Sequence, residues 1–315
     1  MNTEHNAPTS ERKPSLALLL SFGAVGLGHI YCGRFAKGLS LFFLSFLFVP
    51  ILSLAMRRPP GLFALVLMLG ALAGVAALVV YAAADAYRLA RKVRRDYMLK
   101  EYNRWYVYLL FVLFSLYYPA NYAGMIKDNV VAPFKIPSAS MEPTLLKGDY
   151  VLLNKTTYLE HAPAVGDVVI FVYPNDRRVS YMKRIVALPG QTVEVKNGRL
   201  LIDGVACEYG EAPPAFLEHL PESLRGRVRL ERNGPVSYPV LPGPEEGETA
   251  NFPETVVPNG HCFVLGDNRG ESRDSRRFGP TPLADVKGRV EYIYFPAGTW
   301  ARFGPVPFAA PAARS

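Results

Sequence analysis

Tyr181-Met182-Lys183-Arg184-Ile185-Val186-Ala187-Leu188-Pro189-Gly190 is an apolar run closed by a Pro-Gly turn and interrupted by two adjacent cations. Its length and apolar, β-branched content read as a strand. Side chains alternate along a strand, so Lys183 and Arg184 are expected on opposite faces. Runs of the same texture lie on either side: Tyr150 to Leu153, Asp167 to Tyr173, Thr192 to Val195, Leu200 to Ile202, His261 to Leu265 and Arg289 to Phe295. Turn pairs punctuate them at Pro189-Gly190, Asn197-Gly198, Asp203-Gly204 and Asn259-Gly260. The chain beyond Val130 therefore reads as a mostly-β domain of coiled antiparallel sheets, partly barrel-like. A stretch rich in Pro, Glu and Gly between Cys207 and Pro258 has little pattern and reads as an insertion. The expected layout is a β domain over 127–206 and 259–303, an inserted subdomain over 207–258, and a tail over 304–315.

Upstream the texture is different. Apolar runs with almost no charge extend from Leu16 to Tyr31, Gly38 to Met56, Gly61 to Ala84 and Trp105 to Ile126. A membrane-spanning helix needs about 20 such residues. The last three runs meet that length and the first is marginal, so residues 1–126 read as an α-helical transmembrane region of three to four helices. Gly28, His29, Tyr31, Gly33, Arg34, Lys37 and Gly38 form a polar, glycine-rich turn between two of the runs. The first apolar run has no clean small-residue cleavage site after it, so it is expected to be retained.

The net charge of +8 is confined to this region. Residues 1–126 hold 13 Lys and Arg against 5 Asp and Glu, whereas residues 127–315 hold 22 of each. The excess sits beside the spans, where it sets topology and meets anionic membrane lipid; no nucleic-acid surface is implied. Ala86 to Arg104 carries seven basic and two acidic residues and is expected on the cytoplasmic side, which sends everything after Ile126 to the outer side. Cys207 and Cys262, 55 residues apart, have no motif spacing and read as unpaired thiols. His161, His219 and His261 have neither a paired acid nor metal-ligand spacing, and no metal, phosphate-loop or dinucleotide pattern occurs, so no cofactor is expected.

Three polar clusters interrupt the β domain. The first is Phe134-Lys135-Ile136-Pro137-Ser138-Ala139-Ser140-Met141-Glu142-Pro143-Thr144-Leu145, with two serines after a proline. The second is the Lys183-Arg184 pair. The third is Gly266-Asp267-Asn268-Arg269-Gly270-Glu271-Ser272-Arg273-Asp274-Ser275-Arg276, a polar loop directly after an apolar strand. A serine needs a base to act as a nucleophile. A lysine at its reference pKa of ~10.4 holds its proton, but burial among apolar neighbours can lower that value by ~3–5 units and make it such a base.

In this order and with similar intervening text, the clusters resemble bacterial type I signal peptidase (leader peptidase) over roughly residues 105–300. The resemblance implies a serine endopeptidase that removes signal peptides from exported preproteins, anchored in the bacterial inner membrane with its catalytic domain outside. It implies Ser140 as nucleophile and Lys183 as general base. Ser138 would join the backbone N–H of Ser140 in an oxyanion hole, and Ser272 would orient the lysine. Arg184, Asp267, Asp274 and Arg276 match supporting charged positions. Phe134, Ile136, Met141, Leu145, Tyr181 and Met182 match a groove that binds the signal peptide by strand addition and takes small residues one and three positions before the cut. The apolar surface near Ser140 is expected to face the bilayer, close to the secretion machinery as a partner. Three departures stand out: Ala139 in place of a common glycine, Gly270-Glu271 in place of an acidic–amide pair, and more spans than the usual one or two.

Two other readings compete. A self-cleaving Ser–Lys protease shares this core but is soluble and carries a DNA-binding partner domain. A catalytically silent scaffold that binds exported chains would lack Ser140 or Lys183.

Overall fold

The structure, a computed structural model, describes residues 11–51, 62–93, 97–247 and 249–307, with side chains from 66 onward in the second range. The chain divides into two compact units, Met1–Asp128 and Asn129–Ser315.

The first unit is helical: α1 (Pro14–Gly23), α2 (Leu27–Tyr31), α3 (Phe35–Phe46), α4 (Leu62–Lys92) and α5 (Trp105–Asn129). Val66–Lys92 of α4 and all of α5 are long and apolar enough to cross a membrane. At 1.5 Å per residue each exceeds the ~30 Å of a hydrocarbon core. No residue of α5 is buried, although Leu110, Leu113 and Leu116 are among its side chains. Water penalises such a surface, whereas hydrocarbon accepts it. At 10 residues α1 is too short to cross, whereas the apolar helix that begins with α3 extends over Phe35–Ile51, up to the end of that described range. The run from Gly38 to Met56 passes into 52–61, outside the described residues.

The glycine-rich turn is partly helical, and all five residues of α2 are buried. Gly28 is required by close approach, since a Cβ there would lie 2.8 Å from that of Ala86. The adjacent His29 reaches α4, its Nε2 2.7 Å from Asp85 Oδ2, and Lys37 Nζ donates to the same oxygen at 2.7 Å.

The second unit is antiparallel throughout its named strands. Its main sheet runs β1 (Val131–Lys135), β2 (Tyr150–Asn154), β14 (Val286–Phe295), β3 (Val168–Val172), β4 (Ser180–Ala187), β12 (His261–Leu265) and β13 (Thr281–Pro282), with β15 (Gly304–Pro305) beside β14. A second sheet joins β11 (Phe252–Val256), β5 (Thr192–Lys196), β6 (Arg199–Ile202) and β7 (Val205–Ala206). Apolar side chains from the two sheets meet in one core, with Val186, Val193, Leu200 and Phe263 fully buried. A second core, holding Met141, Leu145, Val151, Ile170 and Ile293, lies beneath the first polar cluster.

The stretch from Cys207 to Pro258 is more ordered than its composition suggests. It contains a sheet of β8 (Glu208–Glu211), β9 (Arg229–Asn233) and β10 (Val236–Val240). Glu231 of β9 is buried and pairs with the equally buried Arg269, while Tyr209 donates to Glu231 at 2.8 Å. This sheet is thereby fastened to the third polar cluster. Cys32, Cys207 and Cys262 are free thiols, all buried.

Candidate active site

Between β1 and β2 the chain makes a long turn that carries Ser138 and Ser140. Its base is closed by the amides of Ile136 and Gly148, which donate to Asp149 and Ile136 carbonyls at 2.8 Å each. Asp149 holds the turn from below through both guanidinium nitrogens of Arg302, at 2.7 Å each. The third cluster holds it from the side. The backbone N–H of Asn268 donates to the Ser140 carbonyl at 3.2 Å, and its side-chain amide donates to the Ala139 carbonyl at 3.3 Å. Gly266 is needed at this crossing, because a Cβ there would lie 2.6 Å from the Ser140 carbonyl oxygen. Ala139 itself does not take a positive φ, so no glycine is needed in its place.

Strand β4 brings the two cations to opposite faces. Lys183 Nζ lies 2.9 Å from Ser140 Oγ and donates to the Met182 carbonyl at 2.8 Å. Arg184 points the other way, forming a two-pronged pair with Asp267 at 2.8 and 2.7 Å and donating to Thr144 Oγ1 at 3.1 Å. Thr144 in turn donates to Asp267. All three side chains are buried, so one network joins the serine turn, β4 and the third cluster. Asp274 accepts from the Gly266 amide and from Arg276, which also donates to the Arg269 carbonyl, so both brace the loop rather than reach Ser140.

Lys183 is only 4% exposed. Burial lowers its pKa to about 8, against the opposing pull of the Asp274 and Asp267 carboxylates. At neutral pH roughly a tenth of the amines are therefore unprotonated, compared with well under a thousandth at the reference value. Ser138 Oγ lies 3.3 Å from Ser140 Oγ, on the exposed rim.

A groove of about 580 Å3 runs past these groups, lined by Phe134, Ile136, Met141, Ile170, Tyr181 and Met182, with Glu271 and Arg273 at its margin. Two strand edges lie open along it. Among the described residues, β1 pairs only with β2, and β12 pairs with β4 at Arg184, Ile185 and Ala187 but not at Ser180 to Lys183. These unpaired backbone groups can accept an extended chain.

Two sequence expectations need correction. Leu145 does not line the groove; it is fully buried in the core beneath it, where an aliphatic side chain gains most from leaving water. Ser272 does not hydrogen-bond Lys183. Its buried Oγ has no partner among the described residues, and the Met182 carbonyl takes a Lys183 donor instead. Ser272 is nevertheless packed against Gly266, beside the Ser140 carbonyl. With no hydrogen bond to lose, Ser272→Ala is expected to leave thermal stability nearly unchanged. If its hydroxyl orients the neutral amine during turnover, the same change lowers kcat by ~10²–10³. A stability loss with normal activity in the folded fraction would assign Ser272 to the loop alone.

The sequence reading also missed residues. Asn268 and Thr144 both lie inside the quoted clusters, where their side-chain hydrogen-bonding capacity was the available signal. Asp149 and the Glu231–Arg269 pair gave none, because each is defined by a partner far away in the chain.

A hydroxyl set against a desolvated amine, at the side of a groove with open strand edges, is the arrangement of a serine endopeptidase. The family described as "Signal peptidase, peptidase S26" matches residues 105–295, and the chain belongs to it. It is 34% identical over 195 residues to a "Probable signal peptidase I-1" of Synechocystis sp., covering 59% of this chain and 82% of that one. It is 33% identical over 215 residues to the "Signal peptidase I" of Pseudomonas fluorescens, covering 63% and 70%. A crystal structure of a signal peptidase I from Enterococcus faecalis V583 shares 32% identity over 41% of this chain and 97% of that one, with a TM-score of 0.26. The chain is a serine endopeptidase with two long apolar N-terminal helices and a mostly antiparallel β domain.

Proposed function

We propose that the protein removes signal peptides from exported preproteins by a Ser140–Lys183 dyad, anchored by α4 and α5 with its β domain on the outer side of the bacterial inner membrane. The observation that carries the reading is the 2.9 Å contact between Ser140 Oγ and a Lys183 amine whose pKa is lowered to about 8. An extended preprotein adds to the open edges of β1 and β4, with its scissile carbonyl at Ser140. Ser140 Oγ attacks while its proton passes to neutral Lys183. The developing oxyanion is stabilised by the Ser140 N–H and the Ser138 hydroxyl, each worth ~3–4 kcal/mol in comparable sites. Collapse expels the new N-terminus of the mature protein, which takes the proton from Lys183 and leaves an ester on Ser140. Lys183 then deprotonates water to hydrolyse that ester. No step calls on a metal or cofactor.

The orientation follows from the basic excess between α4 and α5, which favours the cytoplasmic side. Both points can be tested together on sealed bacterial spheroplasts that carry the full-length protein. A preprotein added outside is expected to be cut without lysis. Cutting only after lysis would contradict the orientation, and no cutting after lysis would contradict the activity.

A further inference from the structure

The membrane unit contains a cavity of about 1120 Å3 that the proteolytic reaction does not use. It opens among the start of α3, the last turns of α4 and the segment leading to α5. Arg34, Lys37, Arg88, Arg91, Lys92 and Lys100 line it, and Asp85 is the single carboxylate among the described lining residues. That carboxylate is already engaged by Lys37 and His29. Five further cations remain around one concavity, all with exposed side chains. Cations that line one concavity create a positive potential there that favours an anion among them.

The cavity has fixed walls. Tyr102 donates to the Gly33 carbonyl at 2.8 Å, Asn103 donates to the Ile30 carbonyl at 3.0 Å, and the rings of Phe35 and Tyr102 lie 5.0 Å apart. These contacts hold the 100–103 segment against the link between α2 and α3. The position is also informative. Arg88, Arg91 and Lys92 end an apolar helix long enough to cross a bilayer, and Trp105 and Tyr106 begin the next. Aromatic residues at the end of a span mark the level of the lipid headgroups. Guanidinium groups match phosphate oxygens in two-pronged fashion.

We infer that this cavity binds the phosphate-bearing headgroup of an anionic phospholipid, a site separate from the peptidase groove. The inference rests on α4 and α5 crossing a membrane but not on the identity of the catalytic residues. The test uses the purified full-length protein in an uncharged detergent, with bound lipid counted by native mass spectrometry. Short-chain phosphatidylglycerol is expected to saturate one site, phosphatidylcholine not to bind there, and inorganic phosphate not to displace the lipid. Arg88→Gln with Arg91→Gln should weaken binding about thirtyfold, from roughly a factor of five per charge removed near a membrane surface. Arg88→Lys with Arg91→Lys should retain it within a few-fold. The control pair Arg104→Gln with Lys127→Gln, outside the cavity lining, should leave it unchanged. If the first pair lowers the unfolding temperature, Lys92→Gln with Lys100→Gln carries the same test. Equal weakening in the control pair, equal binding of phosphatidylcholine, or displacement by inorganic phosphate would each overturn the assignment.

Discussion

Ser140→Ala and Lys183→Ala are each expected to lower kcat/KM for preprotein cleavage by at least about 10⁴-fold, and the double variant should be little worse than either single one. The two groups act as one unit. Without Lys183 no other amine or imidazole among the described residues is hydrogen-bonded to Ser140 Oγ to take its proton, and without Ser140 the amine has no nucleophilic oxygen to activate. The fold does not depend on either side chain. Ser140 is half-buried at the rim, and Lys183 is a desolvated amine whose removal relieves a cost rather than adding one. Unfolding midpoints should therefore stay near that of the native protein. A gel assay of preprotein cleavage separates the outcomes: substantial processing by either variant would remove the dyad.

The largest expected effect on stability lies at the carboxylate that pairs with Arg184, the neighbour of Lys183 on β4. Asp267→Ala should destabilise the β domain by ~3–5 kcal/mol, because it strands the fully buried Arg184 without its carboxylate and takes an acceptor from Thr144. Asp267→Asn keeps the shape and some of the hydrogen bonds but not the charge, so it should fall between the two. Activity should fall further than the folded fraction does, since the neighbouring Asn268 holds the Ser140 turn from the same loop. Urea unfolding of the three proteins, with cleavage measured in parallel, gives both numbers. A shift below about 1 kcal/mol for Asp267→Ala would mean that the pair is solvated or replaced by another partner.

The sequence made some of this architecture readable and concealed the rest for physical reasons. Strands such as β3 and β12 carry apolar runs between Gly and Pro turns, β4 carries one interrupted only by Lys183 and Arg184, and these runs survive because both of their faces are largely covered. β1 was not legible, because Pro133 argues against a strand until the strand is known to lie at a sheet edge, where a missing donor is harmless. β9 reads as a charged loop, since Arg229, Glu231 and Arg232 mask it; only the distant Arg269 explains why the buried face of the strand contains a glutamate. At the site, the alternation that separates Lys183 from Arg184 was legible from local pattern, whereas Ser140 and Lys183 were singled out only by the joint order of the three clusters and the resemblance that order carries. The role of Thr144, the burial of Leu145 and the unpaired hydroxyl of Ser272 depend on what lies opposite each of them across the core, which no local pattern records.

The pH dependence of kcat/KM tests the central claim most directly. Burial lowers the Lys183 pKa to about 8 from the ordinary lysine value of 10.5, and only the unprotonated amine can accept the Ser140 proton. The neutral fraction grows as pH rises. The rate should therefore climb about tenfold per pH unit below that value, bend near pH 8 and level off above it. The same bend should persist in Ser272→Ala, because that variant keeps Lys183 and the serine hydroxyl it loses does not change charge in this range. A limb centred instead near pH ~6.5, the range of an imidazole, and abolished by replacing His261, would show that the base is a histidine and that the Ser140–Lys183 account is wrong.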